Sequence, residues 1–261
     1  MIIMQDTTQI NKNTLNLLQE LGSENREVEL LEAKLAEVTK EMNQFTYIVS
    51  HDLQAPLRMV TGFLEMLEKK HGDKLDESAK QYINFAVKGA AKMKKLVFDL
   101  LEYSRLSTIV KEYTETDLNE IMLETKTKFQ SVIEETGAVI TTSQLPVIMA
   151  DRAQMVQLFD HLIGNALKFR NTEETLISIA VCSENGVTSI AIKDNGVGFD
   201  MSFAEKIFIV FRRLYSDESK YSGTGIGLAM CKKITELHKG NIRAESETGK
   251  GSTFYITLPG I

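Results

Sequence analysis

From Val28 to Val49 apolar residues recur at alternating steps of three and four, at Val28, Leu31, Leu35, Val38, Met42, Phe45 and Val49. This spacing lays one apolar stripe along a helix and holds it in register for three heptads, the a/d pattern of a coiled-coil seam. Leu17 and Leu21 extend the register backwards, and residues 1–27 read as an N-terminal linker or the remnant of an upstream domain. A second run, Ile83, Ala86, Ala90, Met93, Val97 and Leu100, repeats the steps, and the segment HGDKLDES between the runs carries turn and capping residues. The pattern predicts a helical hairpin within residues 28–112. One hairpin with two apolar seams cannot hide both, whereas two copies pairing into a four-helix bundle can, so a homodimer is expected.

After Thr114 the period changes. A helix is expected near 117–135, then strand-like AVITTSQL and VIMAD, a helix over 152–169, and strands near 175–183 and 187–193 joined by a turn at Asn185-Gly186. A short helix AEKIFIVF follows, then an irregular stretch over 212–224, a helix over 226–238, and strands NIRAES and TFYITL around the turn ETGKGS. The expected class is α+β: an N-terminal helical hairpin forming a dimeric four-helix bundle, then an α/β sandwich over 113–261 with helices on one face of a mixed sheet. The stretch 212–224 is long for a compact domain and has the length of a lid. Glycine marks the same division, since ten of the sixteen glycines lie between Gly186 and Gly260.

Composition narrows the function classes. At 261 residues, 43% hydrophobic and 25% charged, with three prolines and no tryptophan, the chain is neither disordered nor a repeat protein and has room for two moderate domains. A net charge of −6 lacks the electrostatic footprint of a nucleic-acid or anionic-membrane binder. The local cluster Lys92, Lys94 and Lys95 reads as a solvated helix face. Cys182 and Cys231 are far apart and carry no CxxC or Cys/His spacing, so neither a disulfide framework nor a zinc site is indicated, and a reducing cytoplasm fits. The sequence MIIMQDTTQINKN lacks the charge-then-apolar order of a signal peptide, and no apolar run approaches the ~18 residues of a membrane span. The expected location is cytoplasmic.

Candidate chemistry begins at His51 in FTYIVSHDLQAPLRMV, two residues past the seam position Val49, where the helical register turns the imidazole off the apolar stripe. A neutral imidazole nitrogen is a competent nucleophile toward phosphorus near pH 7. Asp52 is placed to hold the ring tautomer and accept the departing proton. Pro56 is expected to bend the helix beside the reactive residue. In HLIGNALKF, His161, Asn165 and Lys168 (or Phe169) fall at i, i+4 and i+7 on one helical face. An amide oxygen suits Mg²⁺ and a lysine suits phosphate. DNGVGFD places Asp194 at a strand end, where it can accept from an exocyclic amine of adenine, and its glycines admit a flat ring. GTGIG over 223–227 opens a helix whose first amides and dipole face any phosphate, although the Lys-Ser/Thr of a P-loop is missing. GKGSTF packs two glycines into a turn before the last strand.

Taken in this order over about 200 residues, the set resembles the sensor histidine kinases. Members have a dimerisation and histidine-phosphotransfer hairpin followed by an ATP-binding domain of the kind shared with gyrase, Hsp90 and MutL. SHDLQAPLRMV, NALKFR and GTGIGLAMCKKI look most like the phytochrome-linked branch. The resemblance implies ATP and Mg²⁺ as cofactors, a response regulator receiver domain as partner, and a possible upstream or separate sensor. It implies His51 as phosphoacceptor, Asp52 as its base, Asn165 as magnesium ligand and Lys168 near the phosphates. Asp194, Gly196 and Gly198 would hold adenine, and Phe208 and Phe211 would flank the lid. Gly223, Thr224, Gly225 and Gly227 would cradle phosphate, and Thr253 would support the adenine end through water.

Two departures stand out. Where most members have a first Asn one turn before Asn165, this chain has His161, as the chemotaxis kinases do; it either approaches the γ-phosphate or merely packs. Four residues after His51, where strong phosphatases carry Thr or Asn, stands Ala55, so phosphatase activity is expected to be weak. Of the rival readings, an ATP-gated clamp would use a carboxylate in place of His161, and a nucleotide-binding scaffold would lack an acceptor or have a broken pocket. Whether transfer runs within one protomer or between two depends on the handedness of the loop around 71–77, which spacing leaves open.

Overall fold

A computed structural model describes residues 2–106, 113–171, 174–184, 187–215, 221 and 223–259. The expected turn at Asn185-Gly186 and positions 216–220 and 222 of the irregular stretch lie outside these, as do the side chains of the seam positions Leu17, Leu21 and Leu35.

The heptad pattern produces one continuous helix, α1 (Ile2–His71). It runs on through Pro56, whose missing N–H deprives the Asp52 carbonyl of its intrahelical donor. A 3₁₀ turn at Gly72–Lys74 follows. Asp76 then caps α2 (Glu77–Arg105), its carboxylate accepting the Ala79 N–H at 2.7 Å. HGDKLDES is therefore the turn of a helical hairpin.

The chain divides into two compact units, Met1–Val49 and Ser50–Ile261. In the first, Val28, Leu31, Val38, Met42 and Phe45 are 52–62% exposed, so the seam lies open along the single chain.

In the second unit α2 is followed by β1 (Thr114–Asp117), α3 (Leu118–Lys128), α4 (Gln130–Thr136), β2 (Val139–Thr142), β3 (Val147–Ala150) and α5 (Arg152–Lys168). Then come β4 (Leu176–Glu184), β5 (Val187–Asp194), α6 (Gly227–Leu237), β6 (Asn241–Glu247) and β7 (Gly251–Pro259). Five strands form a mixed sheet in the order β2-β4-β5-β7-β6, with β2 parallel to β4 and the other neighbours antiparallel. The α+β class and the mixed sheet are as expected. One sheet face is buried by alternation, with Ile190 and Ile192 from β5 and Phe254, Ile256 and Leu258 from β7. They join Ile121 of α3, Leu158, Phe159 and Leu162 of α5 and Ile234 of α6 in one core.

Three elements differ from the sequence-based expectation. β1, which pairs antiparallel with β3, has the sequence TETD and so no apolar alternation to signal it. The helix expected near 117–135 breaks at Phe129 (φ −97°, ψ 10°), whose ring packs against the glycine face of α5 at Gly164. AEKIFIVF forms no α-helix; a 3₁₀ turn at Lys206–Phe208 stands there instead, just after another at Met201–Phe203. Eight residues are too few to sustain a helix alone, and burial of the neighbours Ile207 and Phe208 sets the backbone.

Candidate functional site

A cavity of about 430 Å³ opens between α5, the start of α6 and the DNGVGFD loop, with α2 along one side. Asp194 reaches it because β5 alternates: Thr188, Ile190, Ile192 and Asp194 all point inward, and Asp194 is the last of them. Its Oδ1 accepts the N–H of Gly196 at 2.8 Å and of Ser252 at 3.2 Å. Burial pushes this carboxyl up, and the two N–H groups pull it back. The loop demands glycine twice. A Cβ at Gly196 would stand 2.3 Å from the Phe169 carbonyl oxygen, and Gly198 takes φ 59° with its Cβ position 2.1 Å from the Glu247 carbonyl oxygen.

His161, Asn165 and Lys168 line the cavity from one face of α5, as their spacing required. Burial pushes the His161 imidazole down despite nearby Asp99 and Asp160, which favours its neutral form. The ring also packs, with Nδ1 3.1 Å from the position a Cβ would take on Gly227. Lys168 is lowered to about 8, chiefly by burial and then by the charges of Arg213 and Lys95, and its Nζ lies 4.2 Å from the centroid of the Phe169 ring. Gly223, Thr224, Gly225 and Gly227 also line the cavity. The N-cap of α6, Ile226, supplies no side-chain hydrogen bond, so the N–H groups of the first turn have no side-chain cap.

Other expected residues lie elsewhere. Phe208 is 8% exposed and belongs to the hydrophobic core. Phe211, 47% exposed, lines an adjoining cavity of about 400 Å³ with Leu96 and Leu100 of α2. Thr253 falls on the opposite face of β7; its neighbour Ser252 is the residue that meets Asp194 and lines the cavity. Gly196 supports the loop from behind and is not part of the lining.

Other lining residues had weak linear signals or none, Phe169 only as the alternative to Lys168 on the α5 face. Phe169, Tyr215 and Tyr221 gather with ring centroids 5.1–6.0 Å apart, and the Tyr215 hydroxyl donates to the Gly198 carbonyl at 2.5 Å. An Arg213 N–H donates to the Tyr221 carbonyl at 2.9 Å. The two tyrosines flanking the polar run in RRLYSDESKYSGTG were the available hint. Lys95 is not merely on a solvated face, because it and Asp99 line the cavity from α2.

His51 and Asp52 stand on α1, with side chains 70% and 74% exposed and His51 Nδ1 3.2 Å from Asp52 Oδ1. Ala55, one turn on, is also exposed. Among the described residues no α1 side chain lines the cavity. Among these residues, too, no group of three or more His, Cys, Asp or Glu makes a metal site and no helix is long and apolar enough to cross a membrane. Among the oxygen donors this cavity offers a hard cation are the amide oxygen of Asn165 and the carboxylates of Asp99 and Asp160, a set that suits an ion keeping waters and phosphate oxygens as its other ligands.

Residues 41–109 match the family model described as His Kinase A (phospho-acceptor) domain, and residues 150–260 match that of the histidine kinase-, DNA gyrase B- and HSP90-like ATPases. The chain is 38% identical over 98% of its length to the phytochrome-like protein Cph1 of Synechocystis sp., covering 34% of that protein. It is 41% identical over 84% of its length to cyanobacterial phytochrome A of Nostoc sp., covering 28% of it. It thus spans about a third of the length of these curated relatives. Among solved structures, histidine kinase ThkA in complex with the response regulator protein TrrA is similar at 26% identity and a TM-score of 0.56, over 84% of this chain and 61% of that one. Full-length ShkA in complex with AMPPNP shares the fold at 24% identity and a TM-score of 0.63, over 83% of this chain and 45% of that one. With both modules present in order, the exposed histidine inside the first matched segment and most of the cavity lining inside the second, the chain belongs to the sensor histidine kinases.

Proposed function

We propose that the chain binds ATP in the cavity, transfers the γ-phosphoryl to His51, and passes it to an aspartate of a response regulator receiver domain in the cytoplasm. The setting of Asp194 carries this reading: a buried carboxylate fixed through one oxygen leaves the other to accept from the exocyclic amine of adenine, a donor guanine lacks at that position. The volume is within the ~300–1,000 Å³ usual for small-molecule sites. Lys168 and the uncapped first turn of α6 suit the phosphates, and Gly223, Thr224, Gly225 and Gly227 let the loop approach them. Phe169, stacked with Tyr221, suits a planar base. A magnesium ion held through Asn165 would neutralise charge on the phosphates.

With Nδ1 against Asp52, the Nε2 lone pair of His51 is the one directed at an incoming phosphorus. The N–P bond forms as the bond from the γ-phosphorus to ADP breaks, and the Nδ1 proton is held by Asp52. The relay to a receiver draws support from the complex that the ThkA structure records for that protein. Ala55 offers no hydroxyl or amide to orient water, which supports weak phosphatase action; rapid loss of phosphate from a receiver on adding this chain with ADP would overturn that. We assign residues 28–112 to the dimerisation and phosphotransfer domain, 113–261 to the catalytic domain, and 1–27 to a linker or sensor remnant. The open seam along α1 supports a homodimer, against which a one-chain mass by sedimentation would count. The direct test is incubation with γ-labelled ATP and Mg²⁺, read for acid-labile, alkali-stable label.

Lys168 makes nucleotide binding pH-dependent. Its ammonium is already being lost near pH 8 in the free protein, and phosphate beside it favours the charged form, so binding above pH 8 takes up a proton. Affinity is therefore level below about pH 7 and falls as pH rises through 8, by up to about tenfold per unit. Calorimetric titrations in buffers of different ionisation enthalpy should show that proton uptake at pH 8.5, and Lys168→Met should abolish it.

A further inference from the structure

The GTGIG loop is held by a residue from outside the sandwich. The Thr224 hydroxyl donates to Asp99 Oδ2 at 2.6 Å, across 125 positions of sequence. Thr224 is 9% exposed, so the bond is largely shielded from water. The end of α2 that carries Asp99 is fastened to the sandwich, since Leu100 and Tyr103 pack on the main core and Leu106 enters it. Lys233 of α6 lies 4.5 Å from the centroid of the Tyr103 ring. Burial, with Glu236 nearby, pushes the Tyr103 hydroxyl up. Lys95, one turn before Asp99, lines the same cavity.

We propose that Asp99 is a latch exclusive with nucleotide: in the empty protein it holds the loop to α2 through Thr224, and a polyphosphate entering the loop displaces it. The inference rests on the cavity being the nucleotide site. A carboxylate at bonding distance from the loop hydroxyl occupies the place of an anion, and two anions in one half-buried cavity repel strongly. The cavity is lined from α2 and, among the described residues, not from α1, so the latched arrangement keeps His51 out of it. By linkage, nucleotide weakens the docking of α2 by the factor by which docking weakens nucleotide binding. ATP then loads the site and frees the sandwich from α2 in one event.

The test is calorimetric titration of the whole chain with ADP and Mg²⁺, comparing the parent with Asp99→Asn, Asp99→Ala and Asn165→Ala. Both Asp99 variants are expected to bind about tenfold more tightly, the gain that follows if the latch holds roughly nine chains in ten closed. Unchanged or weaker binding in both overturns the latch. A second measurement guards against a merely structural effect: hydrogen exchange over residues 99–106 should quicken several-fold in the parent on adding ADP and already be fast in Asp99→Asn. Exchange indifferent to ADP also overturns it. Asn165→Ala is expected to lose binding. If it titrates like the parent, the nucleotide reading of the cavity fails, whatever the Asp99 variants do.

Discussion

Replacing His51 by Gln is expected to abolish acid-labile label completely while leaving nucleotide affinity and thermal stability unchanged. The side chain is 70% exposed and lies against the neighbouring, similarly exposed Asp52, so its removal opens no void in a core. Gln matches the length and polarity of the ring but offers no basic nitrogen, and without a nucleophile there is no slower version of the same transfer. Asn165→Ala should also give no label, for another reason: it removes the amide oxygen that the cavity offers magnesium. The two losses are complementary. If transfer runs between protomers, mixing the variants so that heterodimers form restores label on the chain that keeps His51; if it runs within a protomer, the mixture stays unlabelled. Label surviving His51→Gln, measured by filter binding after alkali treatment, would mean that the acceptor is a different residue.

Asp194→Ala is expected to weaken ATP binding by about 100-fold while barely changing the weak binding of GTP, so discrimination between the two purines collapses. A hydrogen bond to a charged group is worth ~1.5–3 kcal/mol, and each ~1.4 kcal/mol is tenfold in affinity. The truncation also releases the Gly196 and Ser252 N–H groups that Asp194 Oδ1 now satisfies, loosening the loop that carries Gly198. Asp194→Asn keeps the shape and loses the charge, so it should fall between the parent and the alanine variant. Competition between ATP and GTP for a fluorescent nucleotide, read with the melting temperature of each variant, checks the result. Equal loss for both purines would mean that Asp194 shapes the cavity without reading the base.

Much of this was legible along the chain because it rests on short-range geometry. Heptad steps from Val28 to Val49 are enough to define a helix and an open seam. The i, i+4, i+7 spacing of His161, Asn165 and Lys168 puts them on one face wherever α5 packs. Alternation along β5 likewise turns Asp194 inward with Ile190 and Ile192. The same rule applied to β7 would have chosen Ser252 over Thr253, since Phe254, Ile256 and Leu258 set its inward face.

What remained hidden lacks a local period. β1 is a polar strand made by its partner β3, and the 3₁₀ turns of 201–208 follow from burial of Ile207 and Phe208. The order of the modules, the helix faces and the glycine-bounded loops could be read along the chain, because propensity, periodicity and capping act within a few residues. The folded chain alone brings Phe169, Tyr215 and Tyr221 to one site, Lys95 to the edge of the cavity, and Asp99 against Thr224. Those contacts join residues up to 125 positions apart, and their partners are chosen by how whole elements pack, which no local pattern records.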